Sequence, residues 1–124
     1  MQVVKPEWAS LQAQFTSLTL SARLLCVMDE LQALKQEMDT KPNGALSNMP
    51  GSLHFMLRKI QRYVEWTVPE LLPDRAEEAE ILVNVNRFAA RLLIQEEVWN
   101  TKNITTEIEQ QIKQISAVRN VDSD

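Results

Sequence analysis

The chain has 124 residues, 44% hydrophobic and 24% charged, which suits one domain with a real hydrophobic core and excludes wholesale disorder. Thirteen basic against seventeen acidic residues leave a formal charge of −4. That excludes a general polyanion binder, whose phosphate contacts demand a surplus of Lys and Arg, although a local basic face stays open. Cys26 is the single cysteine, so neither an intrachain disulfide nor a cysteine pair for zinc is available.

Both glycines, Gly44 and Gly51, fall between Asp39 and Ser52. A β-sandwich or barrel draws on glycine for its many turns, so few, long elements are expected. The start of the chain lacks the basic-then-apolar pattern of a signal peptide, and no apolar run approaches membrane-spanning length. A cytoplasmic chain without membrane contact is the expectation. In that setting Asn103-Ile104-Thr105 matches the glycosylation pattern by chance.

From Pro6 to Met38 the chain reads as helix, rich in Leu, Gln, Glu and Ala. Trp8, Leu11, Phe15, Leu18, Ala22 and Leu25 share one face at helical spacing. Leu20, Leu24, Val27, Leu31, Leu34 and Met38 share another, turned by well over a right angle. The change falls in "TSLTLS", whose hydroxyl and β-branched residues weaken helix propensity. The expectation is one helix with a bend or short break between Thr16 and Ser21.

The stretch 39–52 reads as a loop, with turns at Pro42-Asn43-Gly44 and Pro50-Gly51. Ser52 is placed to cap a helix running to about Thr67. Pro69 and Pro73 are expected to break that helix, with one capped turn between them because Thr67 and Glu70 have capping-box spacing. Asp74 then opens a helix to about Trp99, with Glu77, Glu78 and Glu80 near the positive end of its dipole. Its apolar stripe is broad, from Ile81, Val85, Phe88, Leu92 and Trp99 out to Val83 and Ile94, which predicts contact from several sides. A last helix from about Ile104 to Val118 carries a narrow seam, Ile104, Ile108, Ile115 and Val118, suited either to packing within the chain or to self-association. The end, 119–124, is expected to fray.

Catalytic motifs are scarce. A single histidine, His54, excludes the paired Glu-x-x-His motif of di-iron bundles and the His-Glu-x-x-His zinc motif. No phosphate-cradling glycine loop, nucleophile elbow or dinucleotide fingerprint occurs, so no cofactor is expected. Cys26 lies among Leu24, Leu25, Val27 and Met28, the setting of an inert thiol.

The segment "LHFMLRKIQRYVEW", 53–66, is more informative. Leu53, Leu57, Ile60 and Val64 form its core stripe, flanked by Met56 and Tyr63. Nearly opposite run Phe55, Lys59, Arg62 and Trp66, beside Arg58, at offsets that place cations next to aromatic rings. A fully solvated face has no need of two large aromatics, and a fully buried one would not hold three cations. Either the helix is sandwiched within the chain, or this strip meets a partner.

These residues lead to an all-α protein, an antiparallel bundle of four to five helices with the helix at about 74–99 in its centre, forming one domain over 1–118. The expected function is non-enzymatic: an adaptor, assembly factor or small subunit that contacts another, acidic protein through Phe55, Arg58, Lys59, Arg62 and Trp66. The same reading makes it a homo-oligomer. The alternative is a helical nucleic-acid-associated subunit using Arg58, Lys59 and Arg62 with Arg87 and Arg91.

Overall fold

A computed structural model describes residues 6–39, 45–46, 51–72, 74–94 and 99–122. Five helices occupy most of them: α1 (Pro6–Thr16), α2 (Leu20–Asp39), α3 (Gly51–Leu71), α4 (Ala76–Ile94) and α5 (Thr101–Asp122). The expected turns at 42–44 and at Pro50, and the break at Pro73, lie outside the described residues.

The fold is an all-α bundle. Helices α2, α3, α4 and α5 form a closed ring in which each packs on the next and α5 returns to α2. Polar contacts show that α2 runs antiparallel to both of its ring neighbours. Glu30 of α2 meets Lys59 of α3, while the earlier Arg23 meets the later Glu70. Likewise Lys35 pairs with Glu109 of α5, while Arg119 donates to the carbonyl of Ser21 at the start of α2. Helix α1 lies outside the ring on α3. It is therefore α3 that packs on three other helices, whereas α4 sits between α3 and α5. Those two neighbours account for the breadth of the α4 stripe, which buries Ala79, Leu82, Val85, Phe88, Ala89 and Leu92 but leaves Ile94 76% exposed.

Within the ring, Leu24, Val27, Leu31, Leu34 and Met38 of α2 face Leu53, Leu57, Ile60 and Val64 of α3 in one continuous core. Ile104, Ile108 and Ile115 enter the same core, with Val118 half-buried against it. The isoleucine seam is thus used within the chain. At its centre Gln111 is also buried, and its Oε1 lacks a hydrogen-bond partner among the described residues.

The break in the first helical stretch is complete, and its chemistry is local. The hydroxyls of Thr16 and Ser17 donate back to the carbonyls of Gln12 and Gln14, and the amide of Leu18, which would have continued α1 to Gln14, turns to Phe15 instead. The Thr19 hydroxyl accepts from the amide of Ala22, three residues on, and so caps α2.

Boundaries of α3, α4 and α5 differ from expectation, beginning with Ser52, expected to cap α3 but lying inside its first turn because the helix starts at Gly51. Helix α3 runs through Pro69 to Leu71, and Thr67 caps nothing: it is buried and its hydroxyl donates to the carbonyl of Tyr63 at 2.8 Å. Proline is tolerated because Pro69 sits in the last turn and the carbonyl it deprives of a donor belongs to exposed Glu65, where water can serve it. Asp74 precedes the cap position of α4, since the carbonyl of Arg75 accepts the first helical bond, from Ala79. Helix α4 stops at Ile94, and Trp99–Asn100 pairs antiparallel with Ala45–Leu46 in a two-residue ladder. Its backbone bonds tie the α2–α3 connection to the α4–α5 connection at one end of the bundle. At the other end α5 continues past Val118 to Asp122.

Restoring the amide that Pro69 lacks is expected to help. Pro69→Ala should raise the unfolding free energy by about 1–2 kcal/mol, the helix gain being partly offset by a freer unfolded chain. Urea denaturation measures it, and a loss of stability would contradict the continuous α3.

Candidate functional site

The outer face of α3 is where the sequence concentrates cations and aromatics, and α1 lies along it. Trp8 meets Phe55 at 5.6 Å between centroids with the rings tilted by 33°, and Phe15 stacks on Tyr63 at 4.3 Å with the rings 7° from parallel. Seven residues along α1 thus match eight along α3, so the two helices run in the same direction. Phe15 is 2% exposed and also meets Trp66 at 6.0 Å, making a three-ring cluster with Tyr63. The sandwiched arrangement is therefore realised at the Trp66 end of the strip.

At the Phe55 end the cover is partial. Phe55 remains 47% exposed. Lys59 Nζ lies 5.1 Å from the centre of its ring, as the four-residue spacing predicts, and pairs with Glu30 Oε2 at 3.1 Å. Arg62, expected beside Trp66, instead stands over Trp8 at 5.6 Å and pairs with Glu65 at 3.0 Å. Arg58 is exposed and has no ion pair among the described residues. The result is a platform of Trp8 and Phe55 rimmed by Arg58, Lys59 and Arg62. Trp8 was legible as part of the α1 stripe, but only tertiary packing sets it beside Phe55.

Sequence reasoning missed Arg23, which is 6% exposed. Its Nη2 donates to the carbonyl of Thr16 at 2.7 Å and its Nε to that of Leu18 at 3.2 Å, while Nη1 meets Glu70 at 2.9 Å. The guanidinium also stands 5.7 Å from the centre of the Phe15 ring. One side chain thus closes the α1–α2 turn and fastens it to the end of α3. The only sequence signal was a lone cation in a leucine-rich stretch.

The remaining candidates separate. Arg91 pairs with Glu107 through both carboxylate oxygens, at 2.6 and 2.7 Å, and Arg87 donates to Asn84 at 3.3 Å. With Phe88 and Gln111 they line an open groove of about 370 Å³ between α4 and α5. That seam lies across the ring from the α2–α3 seam that holds Lys59. Cys26 lies near Tyr63, nine residues along α3 from His54, or about 13 Å at helical rise, so the two do not form a pair. Burial pushes the Cys26 thiol up, with Asp29 and Glu30 adding to the shift.

Among the described residues no helix is long and apolar enough to cross a membrane, and no group of His, Cys, Asp or Glu is placed to hold a metal ion. Comparison with known protein families, with characterised proteins and with solved structures found no match.

Tyr63 reports on the docking of α1. Burial, with Glu30 and Cys26 adding, pushes its phenol from 10.0 up to about 12. A raised pKa favours the neutral form in the fold, so this contribution to stability is complete below pH 10 and is lost as pH rises toward 12. Tyr63 is the sole tyrosine, so tyrosinate absorbance reads it alone. The folded protein should titrate near 12 and the urea-unfolded chain near 10; a folded midpoint near 10 would contradict the buried stack.

Proposed function

We propose that this chain is a non-enzymatic protein–protein interaction module that receives an acidic segment of another protein on the platform of Phe55 and Trp8. The observation that carries the proposal is the half-exposed Phe55 tilted against Trp8, with Lys59 over its own ring and Arg62 over that of Trp8. Aromatic rings and arginine are the residues that most often anchor interfaces, because they bury large area at little entropic cost. Phe55 and Trp8 supply area to be desolvated, and Arg58 and Arg62 supply orientation and electrostatic steering. In this role Lys59, held by Glu30, braces the Phe55 ring, while Trp66 packs on Phe15 at the far end of the strip and anchors α1. A cytoplasmic adaptor, assembly factor or small subunit of a larger complex fits such a surface.

The nucleic-acid reading has less support. Lys59, Arg62 and Arg91 each already hold a carboxylate, and the α3 and α4 cations point along different seams of the ring. A phosphate backbone needs a continuous run of available cations. Catalysis by Cys26 has little support too, since its raised thiol pKa depletes the thiolate.

The test compares affinity purification of the wild type from its native source with that of the triple variant Phe55→Ala, Arg58→Ala, Arg62→Ala. Circular dichroism should show an unchanged helical fold, because none of the three is a core residue. Loss of the co-purifying acidic partner is expected, by tenfold or more in bound yield. A folded variant that keeps every partner would refute the platform.

A further inference from the structure

Helix α1 relates to α3 as a bound ligand helix relates to its receptor. It contacts the bundle through Trp8, Leu11 and Phe15, at positions i, i+3 and i+7, with Phe15 buried deepest. That is how an amphipathic helix is read in a groove. The ring of α2, α3, α4 and α5 is closed without it. Its tether to the ring is short, Ser17 to Thr19, and lies between two helices with no glycine or proline among the three residues. Straightening those residues would join α1 to α2 as a single helix and carry Trp8, Leu11 and Phe15 away from their own α3.

What opposes that straightening is Arg23. Its bonds to Thr16 and Leu18 exist only while the turn is closed, and its pair with Glu70 fixes the turn against α3.

We propose that the groove of α3 beside Arg23 is an exchangeable helix-docking site whose second occupant is α1 of another copy of this chain, and that the bonds of Arg23 to the carbonyls of Thr16 and Leu18 set the balance between the two. The occupant follows from the structure. The groove already fits this sequence, so an identical α1 from a second copy makes the same contacts and needs no new surface. Within one chain the tether gives α1 an effective concentration in the millimolar range, so the closed monomer prevails while the latch holds. Short hinges between packed elements are where such exchange begins. Exchange rebuilds the Trp8–Phe55 contact from two chains, so the proposed partner platform survives it and the two proposals fail independently.

The test uses the full chain. Light scattering during size-exclusion chromatography gives the mass of the wild type, of Arg23→Gln, and of Arg23→Gln combined with Phe15→Ala. The expected results are a mainly monomeric wild type, an Arg23→Gln dimer with a dissociation constant at least tenfold lower, and a monomer again once Phe15 is removed. A folded Arg23→Gln that stays monomeric at millimolar concentration would overturn the proposal. So would a dimer that survives Phe15→Ala, because another surface would then hold it. Should Arg23→Gln unfold, deletion of Leu18 and Thr19 with Arg23 retained forces the same question. A turn too short to close must send α1 to a second copy, giving an obligate dimer, and a folded monomer would refute the exchange.

Discussion

The burial of Phe15 against Tyr63 is the contact on which the outer half of this protein depends. A side chain of that size contributes about 1.5–3 kcal/mol when removed from water, and a stacked neighbour adds about 0.5–1.5 kcal/mol. Helix α1 is only 11 residues long, too short to persist alone in water. It exists because Phe15, Leu11 and Trp8 find α3. Once docked, it covers Trp66, lays the Phe15 ring over Tyr63 and places Trp8 under Arg62. Arg23 makes the docking specific. A buried guanidinium is costly unless its donors are used, and here two carbonyls of one turn and one carboxylate use them.

Burial patterns with a clear helical period were legible in the residues themselves. The stripes Leu24–Met38 and Leu53–Val64 form the core, as did Ile104, Ile108 and Ile115, because a 3.6-residue period reports one buried face directly. The break at "TSLT" was legible as weak propensity, although its actual cause is hydroxyls that bond backward and a threonine that caps forward. Where local signals misled, tertiary packing overrode them. Pro69 and Thr67 resemble a helix stop, yet Leu71 is buried in the core and draws α3 two residues further. Trp99 continues the α4 period but belongs to a backbone ladder whose partner, Leu46, lies far off in sequence.

The candidate site was half legible. That α3 has two faces follows from spacing alone, and so does the contact of Lys59 with Phe55. The identity of the second neighbour does not, since nothing local tells Arg62 to choose Trp8 over Trp66. Hence the strip divides: Trp66 turns inward to α1, and Phe55 and Arg58 remain at the surface. The division also gives a physical reason for a basic, aromatic patch on an acidic chain. Its cations are partly balanced by Glu30 and Glu65, which hold them in place without burying them.

Helix α1 is a docked element, packed on α3 and less extensively than the ring helices are on one another. Native-state amide hydrogen exchange measures that directly, because opening free energies separate units that unfold independently. The α1 amides should be protected yet exchange through an opening of lower free energy than those of α2 and α3, and Arg23→Gln should lower the α1 value alone. Exchange of α1 at the rate of an unprotected peptide, or only through global unfolding, would contradict it.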